Sequence, residues 1–296
     1  MALSLARSSL VEGPPGGETD LGPALSGWVL RSLPACHTRV PHSGRSVRRA
    51  VSGGGSRSGA TCLTDSPSEN EPRLRALNER VVACTRCPRL VEWRSSVARE
   101  KRAAYAAETY WGRPVPSFGD PDAEVLIVGL APGAHGSNRT GRMFTGDRSG
   151  VWLFRALHRA GFANQPDGST ADDGLCLSRA YITASVRCAP PANRPTATER
   201  DHCRPYLEEE LEIFRSAGVV VALGGFAFDE VLRILQRRGE AVPRPRPKFS
   251  HGVEVDLGSR TVLGCYHPSQ QNTFTGRLTE SMFDVIWERA KQLTAP

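Results

Sequence analysis

Three polar stretches, each following an apolar run, carry most of the residues able to do chemistry. The first, GLAPGAHGSNRTGRMFTGDRSG, holds His135, Asn138, Arg139, Thr140, Arg142, Phe144, Thr145, Asp147 and Arg148. The second, RCAPPANRPT, begins at Arg187 and includes Asn193 and Arg194. The third, HPSQQNTFTGR, begins at His267 and includes Gln270, Gln271, Asn272 and Arg277. Carboxylate, imidazole and amide groups move protons, orient water or stabilise developing charge. Phe144 supplies an apolar plane on which a ring can stack. Glycines between Gly129 and Gly136 let backbone N–H groups approach carbonyl or phosphate oxygens. A solvated surface loop is the competing reading of the first stretch.

The cysteines form a fourth pattern. Cys84-x-x-Cys87 is a metal or redox signature, and by itself a chance pairing too. Cys188 and Cys203 lie at structural junctions farther along, with a wide separation between them. Four thiolates hold zinc or an iron–sulfur cluster. Zinc sites favour two close ligand pairs. Only the first pair is close here, which tilts the pattern towards a cluster without settling it. Cys265, inside an apolar run, reads as a packing residue.

The elements that must position these groups alternate in type. Val125–Val128 is a run of four β-formers without alternation, as in a parallel strand buried on both faces. Further strands are expected at 180–186, 219–223, 252–257 and 260–266. Helices are expected from about 71 to 82, 98 to 107, 149 onward, 196 onward, 226 to 238 and 278 to 293. Thr196 and Glu199 have the spacing of a capping box. Trp111–Asp120 reads as a Pro/Gly loop, and Val242–Lys248 as a basic loop. The order implies α/β architecture with a mostly parallel sheet covered by helices on both faces. All three polar stretches leave carboxyl ends of strands, where such sheets bind ligands.

Composition narrows the classes. The chain has 296 residues and a formal net charge of +7, with a pI near 9.2, a balance that suits a polyanionic partner. No stretch of about 20 apolar residues is present, so no membrane span is expected. Residues 1–70 are rich in Gly, Ser, Pro and Arg and read as a disordered extension before a domain at 71–296. Neither a Walker A nor a GxGxxG pattern follows a strand, which argues against nucleotide-cofactor enzymes.

Taken together, GLAPGAHGSNRTGRMFTGD, VRCAPPANRPT and HPSQQNTFTGR resemble the family 5 (type b) uracil-DNA glycosylases, from about Glu71 to the C-terminus. The resemblance implies a three-layer α/β/α sandwich. It implies a [4Fe–4S] cluster on Cys84, Cys87, Cys188 and Cys203, structural because base hydrolysis needs no redox step. It implies hydrolysis of the N-glycosidic bond of uracil, and of other deaminated bases, in DNA to leave an abasic site. Phe144 would stack on the extruded base, in a pocket with Gly129, Ala131, His135 and Asn193. His267 would face uracil and stabilise negative charge on the leaving base. Asp147 would orient water, balance an oxocarbenium-like sugar, or simply cap the next helix. Asn138 would bond the base edge or brace its loop. Gln270, Gln271 and Asn272 would lie in a DNA-insertion loop, with Arg139, Arg142, Arg148, Arg194 and Arg277 on phosphates. The implied partner is uracil-containing DNA, and the implied protein a cytoplasmic monomer.

The family that the chain resembles differs from other uracil glycosylases in its motifs. Ala131 stands where many of those have Asp or Asn, and Ala184 stands near the place of an Asn in the second motif of related families. Neither can do acid–base work, which puts a conventional general base in doubt. A DNA-binding protein that keeps the fold and cluster without catalysis is therefore the second reading, and a zinc-containing nucleotide-binding protein the third.

Overall fold

Leu126 and Val128 point to one side of the sheet and Val125 and Ile127 to the other, and all four are fully buried. This alternation of a fully apolar strand between two cores is what places β2 (Val125–Gly129) at the centre. The computed structural model describes residues 68–295. The expected disordered extension lies, apart from its last three residues, outside the described residues. At the start of the described residues the Ser68 hydroxyl meets Asp122 at 2.6 Å, and the Asn70 side-chain amide donates to the Pro121 carbonyl.

Helices α1 (Asn70–Val82) and α2 (Pro88–Glu100) come first, followed by the short edge strand β1 (Phe118–Gly119). After β2 come α3 (Ser137–Thr140), α4 (Arg148–Ala160) and β3 (Ala180–Ala184). Then follow α5 (Ala197–Ile213), β4 (Val219–Leu223) and α6 (Gly225–Arg237). The chain closes with β5 (Glu254–Asp256), β6 (Thr261–Cys265), α7 (Gln270–Phe274) and α8 (Glu280–Leu293).

The six strands lie in the order β1-β3-β2-β4-β6-β5. The inner four are parallel, with Val125 opposite both Ala180 and Val219, and the two edge strands are antiparallel. Helices α4 and α8 cover one face, and α1, α5 and α6 the other. The expected three-layer α/β/α sandwich is present. Among the described residues no helix is long and apolar enough to cross a membrane.

Three local expectations need correction. The second helix runs over 88–100, not 98–107. Pro88 pre-sets the first turn, and Lys101 at φ 55° ends the helix. The Trp111–Asp120 loop contains β1, held by pairing to β3 rather than by any propensity of its own. The third polar stretch is not all loop: Ser269 caps α7 by accepting from the Asn272 N–H at 3.3 Å. The capping box at Thr196 and Glu199 is present as expected.

Because β3 and β4 flank β2 on opposite sides, the chain leaves β2 at the point where strand order reverses. A crevice opens there at the carboxyl edge of an α/β sheet. The first polar stretch leaves β2 into that crevice.

Candidate active site

Phe144 is the residue about which the loops close. Its backbone lies in the left-handed region at φ 54°, uncommon for a bulky side chain and a mark of a constrained site. Its buried ring stacks on His267, with centroids 5.7 Å apart and planes 29° from parallel. The same ring presses over Gly129, where a Cβ would stand 3.0 Å from it. A Cβ on Gly150, in the first turn of α4, would overlap the Phe144 carbonyl oxygen. Two glycines thus let the end of β2 and the start of α4 approach Phe144 closely.

His267 leaves β6 into the same crevice. Asn272 donates its side-chain amide to the His267 carbonyl at 2.8 Å, and the Ser269 N–H donates to it at 2.7 Å. Its ring nitrogens make no hydrogen bond among the described residues. Burial pushes the imidazole pKa down to about 4. The ring is therefore neutral at physiological pH and keeps one N–H donor free for a partner.

Asp147 is the N-cap of α4, its Oδ1 accepting from the Gly150 N–H at 3.0 Å. Its other oxygen lies against the Gly-rich turn, 2.9 Å from where a Cβ on Gly133 would be. Burial raises its pKa, while the Gly150 and Ser149 N–H groups and Arg139 oppose the rise. The carboxyl expected to act on water or the sugar is thus the one that caps α4. His135 contacts the Tyr110 hydroxyl through Nδ1 at 3.1 Å. Burial first, then Arg102 and Arg139, push its pKa down. Ala131 is half-buried and offers only backbone.

Several residues expected to meet substrate are turned inward. Asn138 has no exposed surface. Its amide donates to the Arg94 and Ala134 carbonyls at 3.3 and 3.4 Å, which makes it a brace of the loop rather than a group on the base or on water. Arg139 is buried, paired with Glu108, hydrogen-bonded to the His135 and Gly146 carbonyls, and stacked on Tyr105 at 4.0 Å. Arg142 is buried, with Asp173 at 2.8 Å and Thr145 at 2.8 Å. Neither guanidinium is free for a phosphate. Asn272 is engaged in holding His267.

Others face outward. Gln270, Gln271, Asn193, Arg194, Arg148 and Arg277 are exposed. Asn193 lies in the turn after β3 at φ 55°, and no side chain bonds it to Phe144 or His267. Arg148 lies over the Phe274 ring at 4.2 Å and Arg277 over Tyr266 at 4.6 Å. Phe274 is 64% exposed at the end of α7. Phe274 falls in the stretch expected to be the DNA-insertion loop, where no role is assigned to it by itself. A lone aromatic among Gln, Asn and Thr was the available signal.

The four cysteines converge from separate elements. Cys84 follows α1, Cys87 caps α2, Cys188 follows β3 and Cys203 lies within α5, and all four line one cavity as unbridged thiols. Leu90 and Pro114 supply apolar cover. The Arg187 N–H approaches the Cys203 sulfur at 3.5 Å, and His202 Nδ1 lies 3.5 Å from the Cys87 sulfur. Burial pushes Cys87 up to about 11 and Cys188 to about 12, and neighbouring thiols add to both rises. A bound cation reverses such shifts and deprotonates the thiols. Among the described residues no three ligand-type side chains close around a single ion.

The comparisons with known proteins agree with this arrangement. The model of the uracil DNA glycosylase superfamily matches residues 116–291. The Type-5 uracil-DNA glycosylase of Mycobacterium leprae is 55% identical over 220 residues, 73% of this chain and 94% of that protein. The Type-5 uracil-DNA glycosylase of Thermus thermophilus is 49% identical over 219 residues, covering 74% and 97%. A Type-4 uracil-DNA glycosylase of Archaeoglobus fulgidus is 32% identical over 158 residues, covering 52% and 70%. With its switch-point crevice, its stacked Phe144 and His267, and identity of this extent, the chain belongs to the uracil-DNA glycosylase superfamily, in its type-5 branch.

Proposed function

We propose that the crevice at the end of β2 hydrolyses the glycosidic bond of uracil in DNA. The carrying observation is the neutral His267, stacked on Phe144 with its ring nitrogens unpaired. An extruded base lies against the open side of this aromatic wall. As the C–N bond breaks, its electron pair moves onto the base. The His267 N–H, already oriented by the stack, donates to the oxygen that gains charge and need not reorganise. Water adds to the sugar carbon, and its proton passes through solvent to the uracil anion, which leaves as the neutral base. The Asp147 carboxylate, fixed by the start of α4, faces the positive sugar or holds that water.

Phe274 fits the gap left by the extruded nucleotide, with Gln270 and Gln271 beside it for the orphaned base and Arg148 and Arg277 for flanking phosphates. Ala131 and Ala184 leave the base pocket without side chains that select strictly, which supports a range extending to other deaminated bases. Cys84, Cys87, Cys188 and Cys203 would hold a [4Fe–4S] cluster. An all-sulfur donor set lining one cavity, with only one close ligand pair, supports that reading. When bound, it would supply a covalent cross-link among the α1–α2 turn, the loop after β3 and α5. We take the catalytic domain to start near residue 70 and to act as a cytoplasmic monomer on DNA.

The test is base release from uracil-containing duplex by anaerobically purified protein, with iron and sulfide measured on the same sample. Uracil release, with iron and sulfide in equal amounts, is expected. Tight DNA binding without release, where a control enzyme works, favours the non-catalytic reading that Ala131 raises.

A further inference from the structure

Arg94 stands apart from the other buried arginines. Arg94, Arg139, Arg142, Arg187, Arg204 and Arg260 are all buried. Arg139 pairs with Glu108, Arg142 with Asp173, Arg187 with Glu210, Arg204 with Glu230 and Arg260 with Glu240. Arg94 makes no ion pair among the described residues. Its Nη1 donates to the Gly112 carbonyl at 2.5 Å, and its Nε is buried with no hydrogen-bond partner among them. A guanidinium does not give up its proton, so burial cannot neutralise it. A cation buried without a counter-charge is strongly disfavoured. The chemistry of this part of the core calls for an anion.

The four-cysteine cavity is where Arg94 meets one. Cys87 caps α2, and Leu90, Val91 and Arg94 follow at the spacing that shares one face of a helix. Cys87, Leu90 and Val91 all line the cavity. Pro114 lines it too, just after the Gly112 that accepts from Arg94. Arg94 thus lies beside the cavity, between α2 and the 112–114 segment. Burial drives the Cys188 thiol pKa up, and Arg94 is the cation that opposes the rise.

The other cations at the cavity are committed or wet. Arg187 pairs its side chain with Glu210 and turns its backbone N–H to the Cys203 sulfur. Arg86 is exposed, lies over the Tyr206 ring and donates to the His202 carbonyl. Salt and solvent screen a charge in that position. Arg94 alone is both buried and without a paired charge. Four thiolates holding a [4Fe–4S] cluster carry a net negative charge, and such a charge in a buried site needs a fixed cation beside it.

We infer that Arg94 is the buried counter-charge of the cluster held by Cys84, Cys87, Cys188 and Cys203, and that it raises the cluster's reduction potential. The inference rests on the [4Fe–4S] reading above. Net charge and local hydrogen bonding set the potential of such clusters. A fixed cation favours the more negative of two charge states, so Arg94 shifts the cluster towards its reduced form.

The test uses anaerobically purified full-length protein as wild type, Arg94→Gln, Arg94→Lys and Arg86→Gln. Iron and sulfide are measured on each, and voltammetry gives the ratio of reduced to oxidised cluster at the wild-type midpoint. Arg94→Gln keeps a polar chain but removes the charge. Its ratio should fall at least about tenfold, equivalent to about 59 mV for one electron. Arg94→Lys keeps the charge and should stay within about threefold of wild type. Arg86→Gln removes an equal charge at an exposed site and should also stay within about threefold. Full iron and sulfide in Arg94→Gln with the wild-type ratio overturns the inference, because a residue that only packs leaves the potential alone. An equal fall in Arg86→Gln overturns it as well. Where Arg94→Gln does not retain the cluster, Arg94→Lys decides. Full iron and sulfide at the wild-type ratio supports the counter-charge, and loss in both variants overturns it. Wild-type protein that carries zinc without iron or sulfide would instead sink the cluster reading, and this inference with it.

Discussion

The rings of Phe144 and His267 stack at 5.7 Å although they leave different strands, β2 and β6. This contact ties the two loops that bear most of the polar residues into one wall. It also strips water from the imidazole and keeps it neutral. A donor to a developing anion works best when its orientation is fixed and its proton is in place before reaction.

His267→Ala should lower single-turnover uracil release by roughly 10²–10³-fold, the usual loss for one preorganised donor, with duplex binding retained. With a pKa near 4 in the fold against 6.5 in the unfolded chain, the unfolded chain takes up the proton first. The histidine's contribution to stability is thus complete above about pH 6.5 and is lost as pH falls towards 4. Denaturant midpoints taken from pH 7 to pH 4 should fall less steeply in His267→Ala than in wild type. Equal steepness would place the depressed pKa elsewhere.

Asp147 carries two roles that substitution can separate. Asn caps helices about as well as Asp. Asp147→Asn should therefore keep the melting temperature while slowing uracil release. Asp147→Ala should also lose roughly 0.5–2 kcal/mol of stability with the cap. Full activity in Asp147→Asn would reduce the residue to a cap.

Phe274 is exposed and lies under Arg148. Phe274→Ala should leave thermal stability unchanged and weaken uracil release from duplex far more than from single strands, where no gap needs filling. Equal losses on both substrates would remove the wedge assignment.

Arg187 and Glu210 form a fully buried ion pair, with Ser117 and Thr183 donating to the same carboxylate at 2.6 Å each. Arg187→Met should cost about 3–5 kcal/mol, because a carboxylate is left buried without its cation. Adding Glu210→Gln should restore part of that, since the neutral amide accepts from one hydroxyl through its oxygen and donates to the other through its NH2. Urea denaturation of the single and double variants measures the recovery, and no recovery would mean that Arg187 stabilises chiefly by filling space next to Cys188.

What could be read along the chain was local. Val125–Val128 declared a doubly buried strand by having no polar face, and Thr196 with Glu199 declared a helix start by spacing. The cysteine spacing and the three polar stretches at strand ends located the site, because chain order and strand direction determine which loops share an edge. Direction of individual side chains within those loops was not legible. Arg139 and Arg142 read as phosphate ligands by type, yet Glu108 and Asp173 draw them inward from distant segments. Asn138 and Asn272 became braces because carbonyls in α2 and at His267 lay within reach.

The sequence by itself determined the layers, the edge on which the site lies and the residue types that meet there. Only the tertiary structure decided which of those residues face outward. A charge or an amide in a loop takes whichever partner the packed elements bring to it, and a buried carboxylate or carbonyl left without one costs more than solvent contact returns. That competition leaves Phe274, Arg148, Arg277 and the cations of the 243–248 loop on the surface, and it leaves His267 neutral beside Phe144.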